Sequence, residues 1–135
     1  MYAIKTEIQE PGAETFEFLH QKTMYGGKKI AAGDKIYLFA SESEGGAGLV
    51  ARGMVLAAIP TTRKLDVERQ TPRVSITVSR TALAKRSLGR NELKSYSEWN
   101  DGKPETELNF KFYRQATNKI ASISEEASAF LESYF

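Results

Sequence analysis

Alternation of apolar and polar residues is the clearest pattern along this chain, and it predicts β-strands. In Arg73–Arg80, valine and isoleucine alternate strictly with serine and threonine. Successive side chains of a strand point to opposite faces, so this segment predicts a strand with one buried face. The same period of two predicts a first strand at Tyr2–Glu7 and a last strand at Leu108–Tyr113.

Two further strands are predicted around a glycine- and serine-rich loop. Lys35–Ala40 is apolar on both faces, as is typical of a strand covered on both sides. Gly48–Ile59 is longer, and Gly53 in its interior predicts a bulge or a close backbone approach. The loop between these strands, Ser41–Gly48, would lie at the edge of a small barrel and could line a pocket there.

Short helices are predicted in three places. Ala13–Lys22 carries apolar residues at helical spacing, and Ala82–Leu88 lies between a capping threonine and a terminating glycine. The C-terminal residues follow Ser124 as an N-cap, with two glutamates in the first turn. Five or six strands with short helices near each end predict an α+β fold, a small mixed β-barrel with short flanking helices and a C-terminal helix.

Composition places the chain among ordinary globular proteins. It has 135 residues, 41% hydrophobic and 27% charged, which predicts one domain over residues 1–135. There is no cysteine, so disulfides and thiolate chemistry are excluded. No apolar run approaches the roughly 20 residues of a transmembrane helix, and the N-terminus lacks signal-peptide features. We therefore expect a cytoplasmic protein without a membrane partner.

Groups for catalysis and metal binding are sparse. His20 is the only histidine, so a two-histidine metal site is excluded. No G-x-S-x-G elbow occurs, and the GGAG at 45–48 lacks the Lys-Ser/Thr of a phosphate loop. The sequence predicts no enzyme, no cofactor and no metal.

Aromatic residues beside hydrogen-bonding groups are the candidates for ligand binding. An extruded base needs a ring to stack on and donors and acceptors for its edge. Aromatic residues also serve as core, and strand-end polar groups also satisfy turns, so packing remains the alternative for each of them. The candidates are Tyr25, Phe39, Ser41, Glu42, Trp99, Tyr113 and Gln115, with Thr117 and Asn118 following.

Positive charge is concentrated in the middle of the chain. Although the net charge is +2, residues 61–120 hold 13 Lys/Arg against 7 Asp/Glu. Such an excess favours a polyanion if the charges share a face, although a solvated surface helix would explain it equally well. The candidate phosphate-binding residues are Arg80, Lys85, Arg86, Arg90 and Arg114.

The order of elements and one short motif resemble the PUA-like superfamily, and within it the EVE/ASCH-like branch. Gly33-Asp34 enters a strand carrying Ile36 and Leu38, and the following strand contains Ala51–Val55, ARGMV. The resemblance implies a pseudo-barrel that binds RNA or modified nucleobases in DNA without catalysis. It also implies a pocket at the ends of the first two barrel strands, here Lys5, Thr6 and Phe39–Ser41.

These patterns together predict a non-catalytic nucleic-acid-binding domain that recognises RNA or a modified, flipped base in a barrel-edge pocket. The alternative is a protein-interaction or small-molecule-sensing domain, favoured by the modest net charge and the acidic Ser41–Gly48 loop. A basic rim around an aromatic cleft would favour nucleic acid, and an acidic or neutral rim would favour the alternative. The sequence leaves the ligand and the oligomeric state open.

Overall fold

Six strands close into a barrel in the computed structural model, which describes residues 1–62, 64–65, 70–115 and 117–135. Their order around the barrel is β1-β3-β4-β5-β2-β6. The β1–β3 and β2–β6 pairs are parallel and the other pairs are antiparallel. The strands are β1 Tyr2–Thr6, β2 Thr15–Met24, β3 Lys35–Ala40, β4 Gly48–Pro60, β5 Arg73–Leu83 and β6 Lys119–Ser122.

Three short helices pack on one side of the barrel. They are α1 Arg90–Leu93, α2 Pro104–Phe112 and α3 Glu125–Glu132, and 3-10 turns occur at Gly27–Lys29 and Glu42–Glu44. Ser124 caps α3, because its hydroxyl accepts a hydrogen bond from the Ala127 N–H at 3.0 Å. The predicted C-terminal helix and the mixed barrel are therefore confirmed.

The alternating faces of the strands build two separate cores. The barrel interior contains Ile4, Leu38 and Val78, among other aliphatic and aromatic side chains. The outer face of β1, β3 and β6 forms the second core with α2 and α3, and this core includes Tyr37 and Phe112. Both faces of β3 are thus buried, as its sequence predicts. The side chain of Lys5 follows Ala3 on the outer face, beneath the helices.

Strand β4 approaches β5 closely at Gly53. A Cβ atom at Gly53 would lie 2.5 Å from Val78 Cγ1 and 2.7 Å from the Ser79 carbonyl oxygen. Close approach of β5 therefore excludes a side chain at this position, which confirms the predicted close approach. The pairing register shifts between Arg52 and Gly53, and the extra residue, Thr81, lies in β5 rather than in β4.

The predicted helix at Ala13–Lys22 is wrong, because these residues form most of β2. Phe16 and Phe18 both point inward with period two, whereas Leu19 is 62% exposed. The register shifts between Phe18 and Gln21, and His20 has φ +50° at that irregularity. The bulge interrupts the alternation and produces the apparent helical spacing.

Two other predicted elements are also wrong. Ala82–Leu88 is not a helix, since β5 continues to Leu83 and pairs there with β4; Gly89 instead precedes α1. Leu108–Tyr113 is not a strand, since most of it belongs to α2, which begins with Pro104 at its first turn. Proline and glutamate at a helix start favour that outcome.

Strand β6 closes the barrel and has no counterpart among the predictions. It pairs with both β1 and β2, although it has only four residues. The predicted polar link Thr61–Pro72 lies partly outside the described residues. Within the described ranges, no helix is long and apolar enough to cross a membrane.

Candidate functional site

Two buried lysines lie side by side where β1 ends and β6 begins. Lys5 and Lys119 are paired in the register of these antiparallel strands, and they are only 1% and 0% exposed. Both lie on the outer face of the sheet, beneath the C-terminal end of α2. Like charges at adjacent buried positions are costly, so each ammonium group needs a specific environment.

Lys119 obtains that environment from backbone carbonyl groups that follow α2. Its Nζ donates hydrogen bonds to the Gln115 carbonyl at 3.2 Å and to the Thr117 carbonyl at 3.0 Å. It also lies 5.6 Å from the centre of the Phe112 ring. Burial, together with the nearby charge of Lys5, lowers the pKa of Lys119 to about 8.

Lys5 has no comparable hydrogen bond. Its Nζ lies 5.1 Å from the centre of the Tyr113 ring, and within the described ranges it has no hydrogen-bond acceptor or carboxylate within ion-pair distance. Burial lowers the pKa of Lys5, Glu42 opposes that effect, and Arg90 adds to it. The ammonium group is therefore a donor that has no hydrogen-bond acceptor among the described residues.

Glu42 connects Tyr113 to the first residue of α1 on the other side of the site. Its Oε1 accepts a hydrogen bond from the Tyr113 hydroxyl at 3.1 Å, and its Oε2 accepts one from the Arg90 N–H at 2.7 Å. Burial and the neighbouring Glu42 carboxylate raise the pKa of Tyr113, which therefore stays a neutral donor. A Cβ atom at Gly89 would lie 2.6 Å from Glu42 Oε2, so glycine leaves space for this carboxylate.

We refer to Lys5, Glu42, Arg90, Tyr113 and Lys119 as the barrel-end cluster. Three cationic side chains and one carboxylate give it an excess of positive charge at neutral pH. Phe39 and Phe112 are stacked beneath it, with ring centres 5.8 Å apart.

The predicted pocket residues Thr6 and Ser41 lie at the margin of the cluster. The Ser41 N–H donates to the Thr6 carbonyl at 2.8 Å, and the Ser41 hydroxyl is 2.9 Å from that of Ser43. Phe39 is fully buried, so its ring has no face free for a ligand. Gln115 is exposed at the other margin and contributes its carbonyl to Lys119.

One polar atom near the cluster lacks a partner. Asn118 Oδ1 is buried and accepts no hydrogen bond from the described residues. Asn118 immediately precedes Lys119, at the entry to β6. A buried acceptor without a donor is costly unless another group supplies one.

Tyr25 and Trp99 do not contact the cluster but belong to a separate cleft. This cleft has a volume of about 390 Å³ and is also lined by Lys103, Phe110 and Lys111. Trp99 is 78% exposed and Tyr25 is 43% exposed. The sequence-predicted aromatic candidates are therefore divided between two places.

The predicted phosphate-binding residues are dispersed. Arg80 donates to the carbonyls of Gly12 and Ala13, and Arg86 donates to the Ser133 carbonyl at 2.7 Å. Arg114 lies 4.7 Å from the centre of the Phe110 ring, whereas Lys85 is exposed. Only Arg90 adjoins the barrel-end cluster.

A further basic cleft was not predicted. It has a volume of about 680 Å³ and adjoins the ends of β2, β4 and β5. The cationic residues that line it are Lys22, Lys28, Lys64 and Arg73.

Lys119 was not predicted, because nothing in a four-residue strand distinguishes its first residue from a surface lysine. The available signal was Asn118 and Lys119 directly before the apolar residues of β6. Among the described residues, no group of three or more His, Cys, Asp or Glu side chains could hold a metal ion.

Comparison with solved structures identifies proteins of similar fold. No family model matches the chain, and a search of curated proteins finds no match. The DUF55 domain of human thymocyte nuclear protein 1 is similar, with a TM-score of 0.64 and 15% identity over 98% of this chain and 96% of that one. A protein from Pseudomonas syringae is also similar, with a TM-score of 0.59 and 14% identity over 99% of each chain.

A third similar structure contains a ligand. It is human thymocyte nuclear protein 1 in complex with DNA containing 5-methylcytosine, with a TM-score of 0.64 and 17% identity over 98% of this chain and 95% of that one. At these identities the likeness concerns the fold. The chain shares the fold of the DUF55 domain, an α+β fold with a closed mixed β-barrel and short helices, as the sequence predicts.

Proposed function

We propose that this chain is a non-catalytic nucleic-acid-binding domain of the EVE-like branch, and that it takes an extruded, modified cytosine at the barrel-end cluster. All 135 residues would act as one domain. The proposal extends to this chain the DNA ligand of a structure with the same fold. RNA is treated as an outcome of the test.

The observation that carries the proposal is Lys5, a residue only 1% exposed whose ammonium group has no hydrogen-bond acceptor among the described residues. The carbonyl oxygen and ring nitrogen of a cytosine edge are acceptors for such a donor. The Lys5 ammonium would thus donate to an acceptor on the edge of an extruded base.

Access to Lys5 runs past Tyr113 and Glu42. Both side chains are only partly buried, and the hydrogen bond between them spans the cluster. An entering base would displace or share this hydrogen bond and stack on the Tyr113 ring in place of solvent. Stacking of a base on an aromatic ring contributes about 1–3 kcal/mol.

Charge at the rim supports nucleic acid over the protein-interaction alternative. The acidic loop after β3 turns Glu42 toward Tyr113 and the Arg90 N–H, so this carboxylate is engaged with the protein. Arg90 is exposed beside the cluster and is positioned to contact a phosphate next to the extruded nucleotide.

The test is binding of three labelled ligands, measured by fluorescence anisotropy. They are a duplex with one central 5-methylcytosine, the same duplex with cytosine, and single-stranded RNA of that sequence. We expect the methylated duplex to bind about fivefold or more tightly than the unmodified one, since a methyl group in a fitted pocket contributes about 1–3 kcal/mol. Lys5→Met should abolish that preference.

Lys29→Met is the matched control, because it removes an equal charge from an exposed side chain outside the cluster. It should keep the preference. Equal binding of both duplexes by the wild-type chain would overturn the modified-base proposal, and tighter binding of RNA would replace DNA as the ligand.

A further inference from the structure

The cleft around Trp99 has features of a second nucleotide-binding site. Its indole is 78% exposed and is the only tryptophan of the chain. Tyr25 and the half-buried Phe110 line the same cleft. A volume of about 390 Å³ falls within the roughly 300–1,000 Å³ range of small-ligand pockets.

The loop that carries Trp99 is held in place. Asp101 Oδ1 accepts the Lys103 N–H at 2.9 Å, and Asp101 Oδ2 accepts the Thr106 hydroxyl at 3.0 Å. These bonds fasten the loop to the first turn of α2. The exposed indole is therefore presented on an anchored turn.

Charge around the cleft favours an anionic ligand. Lys111 Nζ lies 5.4 Å from the centre of the Tyr25 ring, and the Arg114 guanidinium lies 4.7 Å from that of Phe110. Lys103 also lines the cleft and has no carboxylate within ion-pair distance among the described residues. Its Nζ lies 5.9 Å from the centre of the Tyr96 ring, and a phosphate would add an anionic partner.

The carboxylate of the cleft is already engaged. Glu107 accepts hydrogen bonds from the Ser124 hydroxyl and from the Ser124 N–H, the latter at 2.8 Å. It also pairs with Lys111 at 3.2 Å. A site for a quaternary ammonium ion needs aromatic rings that no other cation covers and is favoured by a free carboxylate. Here Lys111 and Arg114 already lie over the Tyr25 and Phe110 rings, and Glu107 is paired.

We propose that this cleft is a second nucleotide subsite, in which an unpaired base stacks on Trp99 while Lys103 contacts its phosphate. This inference rests on the proposed function in that the same nucleic acid would supply both nucleotides. Stacking requires no particular base, so the subsite would add affinity without sequence preference.

Trp99 supplies its own readout. Titration with a thymidine tetranucleotide, which carries no modified base, should quench the tryptophan fluorescence, because a stacked base quenches indole emission. Lys103→Gln should weaken this binding, whereas Lys29→Gln, which removes the same charge from an exposed side chain outside the cleft, should leave it unchanged. The absence of saturable quenching would overturn the second subsite.

A second measurement separates this proposal from the first. Methylated and unmodified duplexes with a three-nucleotide single-stranded overhang are compared with blunt duplexes. Trp99→Ala should lose about fivefold or more of the affinity for overhang duplexes of both kinds. The control Leu56→Ala, which truncates an exposed apolar residue of β4, should lose none.

The outcomes are distinguishable. Quenching and an overhang effect without any preference for methylation would support the second subsite and refute the barrel-end proposal. If Trp99→Ala keeps both the preference for methylated DNA and the affinity for overhang duplexes, the barrel-end proposal is supported and the second subsite is refuted. Quenching by choline rather than by the tetranucleotide would refute the nucleotide subsite and assign the cleft to cations.

Discussion

Lys5 and Lys119 show how one pair of residues can connect stability with binding. The fold tolerates Lys119 because two carbonyl groups and an aromatic face surround its ammonium group. Lys5 has only an aromatic face. Lysines whose pKa is lowered by burial cluster at functional sites, which is consistent with the proposal that a ligand supplies the acceptor for Lys5.

The lowered pKa of Lys119 predicts a pH dependence of stability. Its folded pKa is about 8, below the usual value of 10.5. Between these values the unfolded chain binds more protons than the folded chain, so the Lys119 contribution to the free energy of unfolding rises with pH and is lost as pH falls toward 8. Urea denaturation at pH 7.5 and pH 9.5 should show a rise from this residue of about 1–2 kcal/mol.

Lys119→Met isolates that contribution, since tyrosines also titrate at high pH. The variant should lack the rise relative to wild type, whereas Lys29→Met should retain it. Parallel pH profiles of the wild-type and Lys119→Met chains would show that Lys119 titrates normally in the folded state.

Ser124 at the start of α3 joins two helices. Its hydroxyl accepts from the Ala127 N–H and also donates to Glu107 of α2. Burial opposes ionisation of Glu107, but the Ser124 hydrogen bonds and Lys111 outweigh it and lower the pKa of this carboxyl group.

Ser124→Ala should lower the free energy of unfolding by about 1–2 kcal/mol, because it removes the cap and the hydroxyl that donates to Glu107 Oε1. Urea denaturation at pH 7 measures the change. Ser97→Ala, at an exposed position, is the control and should change stability little. Equal stability of the two variants would contradict the role of this cap.

Gly27 allows the turn after β2 to approach β6 closely, because glycine has no Cβ atom. A Cβ atom there would lie 2.8 Å from the Ile120 carbonyl carbon, which is backbone and cannot rotate away. Gly27→Ala should therefore lower the free energy of unfolding by about 1–3 kcal/mol. Gly12→Ala meets no atom within 4 Å and should be tolerated. Thermal unfolding measures both variants, and equal melting temperatures would contradict this role of Gly27.

Elements with an undisturbed pattern could be predicted from sequence, and the others could not. β1, β3, β4 and β5 alternate or are continuously apolar, and the Ser124 cap marks α3. The bulge at His20 breaks the alternation of β2, so that a helix was predicted there. Aromatic residues alternate with polar ones at the end of α2, so that a strand was predicted there. β6 has four residues, too few to show a period, although it closes the barrel.

The residues of the candidate site could be predicted only where the elements that carry them could be predicted. Lys5, Thr6 and Ser41 lie at the ends of correctly predicted strands, so their neighbourhood was predictable from the resemblance. Tyr113 meets Lys5 because α2 ends there, and Lys119 meets it because β6 pairs with β1. Contacts between distant segments depend on topology, which local patterns do not encode.

At the scale of the whole molecule, the barrel and α2 create the two distinct places at which we propose that a nucleotide binds. The barrel-end cluster lies where α2 ends, and the Trp99 cleft lies along α2 from its first turn. One nucleic-acid chain occupying both would explain why aromatic and cationic side chains occur at each.

Chemical-shift mapping of the 15N-labelled protein tests the central claim most directly. The modified duplex should shift or broaden the amide signals of Ser41, Arg90 and Lys119, and the unmodified duplex should affect them much less. The amide of Thr77, in the middle of β5, should stay unchanged with both. Shifts confined to the basic cleft around Lys22 and Arg73, or identical shifts with the two duplexes, would contradict recognition of a modified base at the barrel-end cluster.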